Sequence, residues 1–124
     1  MTGDRVSVVD DHAGFRATAR RVLEADGWSV VGEAADGVSA IVDARRLDPD
    51  VVLLDIGLPD HDGFAIADQL AHLVTARVVL TSSRERAAYG DRIATSAALG
   101  FIGKGELDGT ALRRLVAGRG IDAE

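Results

Sequence analysis

Runs of apolar residues alternate with amphipathic stretches along this chain, and the alternation repeats five times. Residues 5–9, Arg5-Val6-Ser7-Val8-Val9, predict a first strand. In residues 14–25, Phe15, Ala19, Val22 and Leu23 fall on one face at helical spacing. Residues 28–32 predict a short second strand after a turn at Asp26-Gly27. Val38, Ile41 and Val42 mark a second helix that ends near Asp48-Pro49, because the residue before proline disfavours helix. Residues 51–54, Val-Val-Leu-Leu, are wholly apolar and predict a strand buried on both faces. Phe64, Ala67, Leu70 and Leu73 form the face of a third helix. Residues 77–81 predict a fourth strand and 101–103 a short fifth, and Leu112, Leu115 and Val116 belong to a last helix. Strands alternating with helices predict an α/β fold, a parallel sheet with helices on both faces. The weakest helix is 84–99. It carries Gly90, Thr95 and Ser96, and its only sizeable apolar residues are Tyr89, Ile93 and Leu99. This predicts a short, poorly anchored helix broken near Gly90, with the low local stability that suits a moving part.

Composition narrows the class. A chain of 124 residues with 47% apolar residues fits one globular domain. Its core is expected over about 5–117, with a short tail at 118–124. The formal charge of −6 disfavours nucleic acid as a direct partner. The lack of cysteine excludes disulfides and thiolate zinc sites. No apolar run is long enough to span a bilayer and the N-terminus does not read as a signal peptide, so a soluble cytoplasmic protein is expected. His12, His61 and His72 have no metal-ligand spacing and read as surface histidines, although His12 and His61 flank the acidic edge described next. No GxGxxG or Walker A pattern supports nucleotide binding.

The chemistry concentrates at strand ends. Val51-Val52-Leu53-Leu54 runs into Asp55, and Val6-Ser7-Val8-Val9 runs into Asp10-Asp11. In open α/β sheets the C-terminal edge of the strands is where ligands bind. Three carboxylates converging there repel one another, so they need a cation or raised pKa values. Hard oxygen ligands favour Mg²⁺. The fourth strand delivers Thr81-Ser82-Ser83 to the same edge, and the fifth delivers Lys104. A carboxylate nucleophile, a metal, a hydroxyl and a lysine together suit phosphoryl transfer through an acyl phosphate.

These residues resemble the receiver domains of bacterial two-component response regulators. The resemblance runs from Val6 to about Val116. It rests on Asp10-Asp11, Leu54-Asp55, Leu58-Pro59 with Asp62-Gly63, Thr81-Ser82-Ser83, and Phe101-Ile102-Gly103-Lys104. It implies a flavodoxin-like (βα)5 doubly wound parallel sheet with strand order 2-1-3-4-5. It implies that Asp55 is the phosphoacceptor, that Asp10 and Asp11 bind Mg²⁺, and that the carbonyl of Gly57 is a further ligand beside Asp55. Ser82 takes the hydroxyl role, with Thr81 as competitor. Ser82 is favoured because it stands at the strand exit and because Lys104 follows it by 22 residues, as in the family. Lys104 corresponds to the family's lysine and Phe101 to its aromatic switch. Gly105 departs from the proline that often follows that lysine, as in the NarL/LuxR branch.

The resemblance further implies a sensor histidine kinase or histidine phosphotransfer protein as phosphodonor, docking near Phe15 and Arg16. It also implies a downstream protein target and allows a homodimer. Because the sequence ends at Glu124, a stand-alone receiver is expected. Competing readings are weaker. A haloacid-dehalogenase-like phosphohydrolase needs an aspartate where Gly57 stands. A phosphorylation-independent interaction module would not need the acidic set, and flavin binding lacks a phosphate loop.

Overall fold

The computed structural model describes the backbone of residues 4–122 and the side chains of residues 4–118. Its elements are β1 (Arg5–Val9), α1 (Ala13–Ala25), β2 (Ser29–Ala34), α2 (Gly37–Leu47), β3 (Val51–Asp55), α3 (Gly63–Leu73), β4 (Arg77–Ser82), α4 (Arg92–Thr95), β5 (Gly100–Gly103) and α5 (Gly109–Asp122). The five strands pair in parallel in the order β2-β1-β3-β4-β5. This is the flavodoxin-like topology expected from the strand–helix alternation and the resemblance.

Side-chain alternation divides the core into two layers, one on each face of the sheet. Val6 and Val8 of β1, Val51 and Leu53 of β3, and Val79 of β4 pack with Ala19, Leu23, Trp28 and Leu112. Val9, Val52, Leu54, Val78 and Leu80 point the other way, against Ala40, Ala44, Ile66, Ala67 and Leu70. β3 is buried at every position, as its unbroken apolar run requires. Trp28 precedes β2, because its amide donates to Leu23 O at the end of α1. Its indole Nε1–H donates to Gly109 O at 3.0 Å, which ties α5 to the turn before β2. α2 ends at Asp48, in the left-handed region at φ 49°, directly before Pro49. α5 continues to Asp122, into the stretch expected to be a tail; residues 123 and 124 lie outside the described residues.

Between β4 and β5 the chain forms little helix. A 3₁₀ turn over Arg86–Tyr89 gives way at Gly90, φ +57°, to the single turn of α4. The break falls where the sequence places it. Two local causes add to it. Thr95 Oγ1 donates to Asp91 O at 3.0 Å and Ser96 Oγ to Ile93 O at 2.8 Å, side-chain bonds that compete with helix propagation. Only Ile93 of α4 is buried, so tertiary packing supplies little compensation.

Candidate functional site

Strand register assembles the site. Val9 pairs with Leu54, so the next residues along, Asp10 and Asp55, emerge side by side. Asp55 pairs with Thr81, and Ser82 with Gly103, the residue before Lys104. Residues far apart in sequence therefore meet at the C-terminal edge of three adjacent strands and the start of the β5–α5 loop.

Asp10 is fully buried and Asp55 nearly so, whereas Asp11 is exposed. Ligand atoms of Asp10, Asp11, His12 and Asp55 all lie within 4.8 Å of one another. Lys104 Nζ stands 2.5 Å from Asp10 Oδ2 and 3.6 Å from Asp55 Oδ2. The Asp10 contact is a close, buried ion pair, and a carboxylate oxygen has a second lone pair, so it can still accept from another partner. The Lys104 ammonium also lies 4.7 Å from the centre of the Phe15 ring.

The electrostatics follow from this crowding. Burial pushes the Asp55 carboxyl above its ordinary value, and the neighbouring Asp10 and Asp11 charges push the same way. The Gly57 amide, which donates to Asp55 Oδ1 at 3.2 Å, and Lys104 offset only part of this. For Lys104, burial disfavours the charge but is outweighed by pairing with Asp10 and attraction to Asp55, so its pKa is raised. The donor set fits a hard divalent cation. It offers three carboxylates, two buried and one exposed.

The loop after β3 is held by local bonds. Asp62 Oδ1 accepts from the Phe64 amide at 2.8 Å and caps α3. Its other oxygen takes Arg92 at 2.7 Å, and the Arg92 guanidinium stacks 4.2 Å above the Phe64 ring. Burial of Asp62 is more than offset by Arg92 and the Phe64 amide, so its pKa is lowered. Asp60 accepts from Gly37 and Val38 at the start of α2. Gly63 closes the loop against β3. A Cβ there would sit 2.6 Å from both Asp55 O and Ile56 Cα, which are backbone atoms that cannot swing away. Gly63→Ala is therefore expected to destabilise the fold by about 2–3 kcal/mol. Chemical denaturation checks this, and a change under about 0.5 kcal/mol contradicts the close approach.

The sequence-predicted residues divide into groups. Asp10, Asp11, Asp55 and Lys104 form one cluster. Gly57 stands beside it, exposed, and bonds Asp55 through its amide. Ser82 lines a cavity of about 490 Å³ together with Phe101, Lys104, Arg84 and Glu106. Ser82 Oγ accepts from the Arg84 amide at 2.9 Å and shares a 2.5 Å hydrogen bond with Tyr89 Oη. Thr81 is fully buried with an unpartnered hydroxyl. Phe101 is half-buried, its ring centre 6.3 Å from that of Tyr89.

His12 is a surface histidine that flanks the acidic edge, as expected. Its side chain is 70% exposed, yet Nδ1 lies 3.0 Å from Asp10 Oδ1 and 3.1 Å from Asp11 Oδ1. His12 is also the N-cap residue of α1. His61 lies near Asp60 and outside the cluster. Two residues that the sequence places near the site without a contact to it also belong here. Arg16 Nη1 donates to the Asp10 carbonyl at 2.6 Å. Tyr89 reaches Ser82 from the 3₁₀ turn. Neither has a sequence signal, since each contact depends on how a helix or turn lies over the sheet edge.

Comparison with known proteins agrees with this fold. The model of the response regulator receiver domain family matches residues 6–116, and the chain belongs to that family. A protein of Pseudomonas aeruginosa named as a transcriptional regulator is 38% identical over 82% of this chain and 50% of its own length. A protein-glutamate methylesterase/protein-glutamine glutaminase of Anaeromyxobacter dehalogenans is 42% identical over 86% of this chain and 31% of its own length. The chain thus spans about a half and a third of these two relatives. Among solved structures, the signal receiver domain of the response regulator NarL from Mycobacterium tuberculosis superposes with a TM-score of 0.81 at 33% identity, covering 93% of this chain and 98% of that one. The response regulator domain of Thermotoga maritima CheB gives 0.74 at 30% identity, covering 91% and 88%. Among the described residues, no helix is long and apolar enough to cross a membrane.

Proposed function

We propose that this receiver accepts a phosphoryl group on Asp55 in a divalent-cation-dependent reaction and signals by a conformational change. The observation that carries the reading is a nearly buried carboxylate with two more carboxylates and a lysine around it. Asp10, Asp11 and Asp55, with the carbonyl of Gly57, would hold Mg²⁺. Bound there, the cation supplies charge neutralisation for the phosphoryl oxygens. The rest falls to the chain's own groups. An Asp55 carboxylate oxygen attacks phosphorus, the bond from phosphorus to the donor breaks, and an acyl phosphate forms. Lys104 stabilises the charge on the transferred oxygens, and the Ser82 hydroxyl donates to one of them. Phe101 then turns and shifts the segment 84–99, a population change driven by local charge.

The donor is a phosphohistidine of a sensor kinase or phosphotransfer protein, and the surface around Phe15 and Arg16 receives it. Output passes to a protein partner rather than directly to nucleic acid, consistent with the acidic charge. The domain catalyses only its own phosphorylation and dephosphorylation. A cytoplasmic setting suits this signalling role. Either a stand-alone receiver or one unit of a longer regulator uses the same site.

Incubation with Mg²⁺ and acetyl phosphate is expected to add one phosphoryl group, about 80 Da, seen by intact mass. Beryllofluoride is expected to shift amide resonances around residues 55–57, 82 and 104. Turnover of phosphoesters would favour a hydrolase. No response to either reagent would favour an interaction module.

A further inference from the structure

The hydroxyl assigned to the phosphoryl group is already engaged. Ser82 Oγ is held by the Arg84 amide and by Tyr89 Oη, both on the side of the segment 84–99. The Tyr89 ring is itself fixed. It packs edge-on against Phe64 of α3, with centres 5.9 Å apart, and lies at a tilt to Phe101 of β5. Phe64 begins α3 just after the loop that follows Asp55, and Arg92 bridges that loop to α4 through Asp62. The 3₁₀ turn bearing Tyr89 ends at Gly90 and has no buried residue. Its hold on the sheet therefore depends largely on this one side chain.

We propose that Tyr89 is a positioning residue whose Oη accepts the Ser82 hydroxyl proton in the unphosphorylated state. Engagement of Ser82 by a phosphoryl group then breaks the Ser82–Tyr89 bond and frees the segment 84–99. The inference deepens the reading of Ser82 given above and rests on it. A small hydroxyl movement would thus reach a poorly anchored segment without a helix to transmit it. The partner of Ser82 is a tyrosine from the β4–α4 turn, distinct from the aromatic at position 101. Phe101 has no hydroxyl and faces the open cavity beside Ser82.

Tyr89→Phe keeps the ring and removes the bond. The test titrates the full chain with beryllofluoride and Mg²⁺ in wild type, Y89F, S82A and the double variant, read by NMR. Because Tyr89 is the only tyrosine, 3-fluorotyrosine gives a single ¹⁹F reporter. Y89F is expected to bind beryllofluoride about 3- to 10-fold more tightly, the range of one hydrogen bond released. That gain is expected to vanish in the S82A background. The ¹⁹F resonance is expected to move on beryllofluoride binding in wild type and to stay put in S82A. A merely structural bond would weaken binding in Y89F. Unchanged or weaker binding in Y89F, with S82A itself weakened, overturns the role of Tyr89 and leaves Ser82 in place. If S82A binds as wild type does while Thr81→Val weakens, the Ser82 reading fails, and the Tyr89 proposal with it.

Discussion

Asp55→Asn is expected to abolish the phosphoryl adduct and, without divalent cations, to make the protein more stable. Both effects come from the same crowding. The asparagine side chain has no carboxylate oxygen to attack phosphorus, so no acyl phosphate forms. The substitution also removes one of three neighbouring negative charges at a nearly buried position. Lys104 keeps its closer partner Asp10, so no buried cation is stranded. A gain of about 1 kcal/mol, or about 3–5 °C in melting temperature, is expected. Mg²⁺ should reverse the order. A ligand that binds only the folded state stabilises it by mass action, and D55N offers one carboxylate fewer to the cation. Thermal melts with and without Mg²⁺ give four values. A variant less stable than wild type without the cation contradicts the electrostatic account.

The raised Asp55 pKa also fixes the sign of a pH effect. The folded state holds this proton at pH values where the unfolded chain has released it. The stabilisation it brings is therefore complete below the ordinary value of 3.8 and is lost as pH rises through the folded value. Mg²⁺ binding and adduct formation run the other way, because both need the ionised carboxylate. Acidification from neutral pH should weaken both.

Lys104→Met separates two roles that a single lysine combines. Nζ pairs with Asp10 and Asp55 and is largely buried, so its loss leaves carboxylates uncompensated. The apo protein should lose about 1–3 kcal/mol. Mg²⁺ should bind about tenfold more tightly, because a competing positive charge has gone from a few ångströms away. Phosphorylation should nonetheless slow by about 10²-fold or more, since charge on the transferred oxygens is no longer met. Isothermal titration and the rate of adduct formation read these separately. Weaker Mg²⁺ binding together with an unchanged rate would show that Lys104 belongs to another network.

Much of this was legible in the chain because the informative residues sit where an element ends. An apolar strand that runs into a carboxylate must present it at the sheet edge, so Asp55 and the pair after Val9 could be placed without coordinates. Gly90 marked the break in the weakest helix through its backbone freedom. The bounds of that region, a 3₁₀ turn and then a single turn of α4, depend on local bonds from Thr95 and Ser96 that no periodicity reveals. Trp28 read as a strand residue, but its amide closes α1. His12 lacked ligand spacing in sequence, yet it enters the cluster because it directly follows Asp10-Asp11 at the start of α1. The contacts of Tyr89 with Ser82 and of Arg16 with Asp10 are hidden in the sequence for a tertiary reason. Each reaches the site across a space that only the packing of a neighbouring element defines.

The central claim is that a group of carboxylates at one sheet edge binds a divalent cation and lets Asp55 carry a phosphoryl group. A crystal structure grown with Mg²⁺ and beryllofluoride tests it most directly. The account predicts beryllofluoride on an Asp55 carboxylate oxygen, Mg²⁺ bound by Asp10, Asp11 and Asp55, and Lys104 turned toward a fluoride. A cation bound elsewhere, or beryllofluoride absent from Asp55 at saturating concentration, would contradict it.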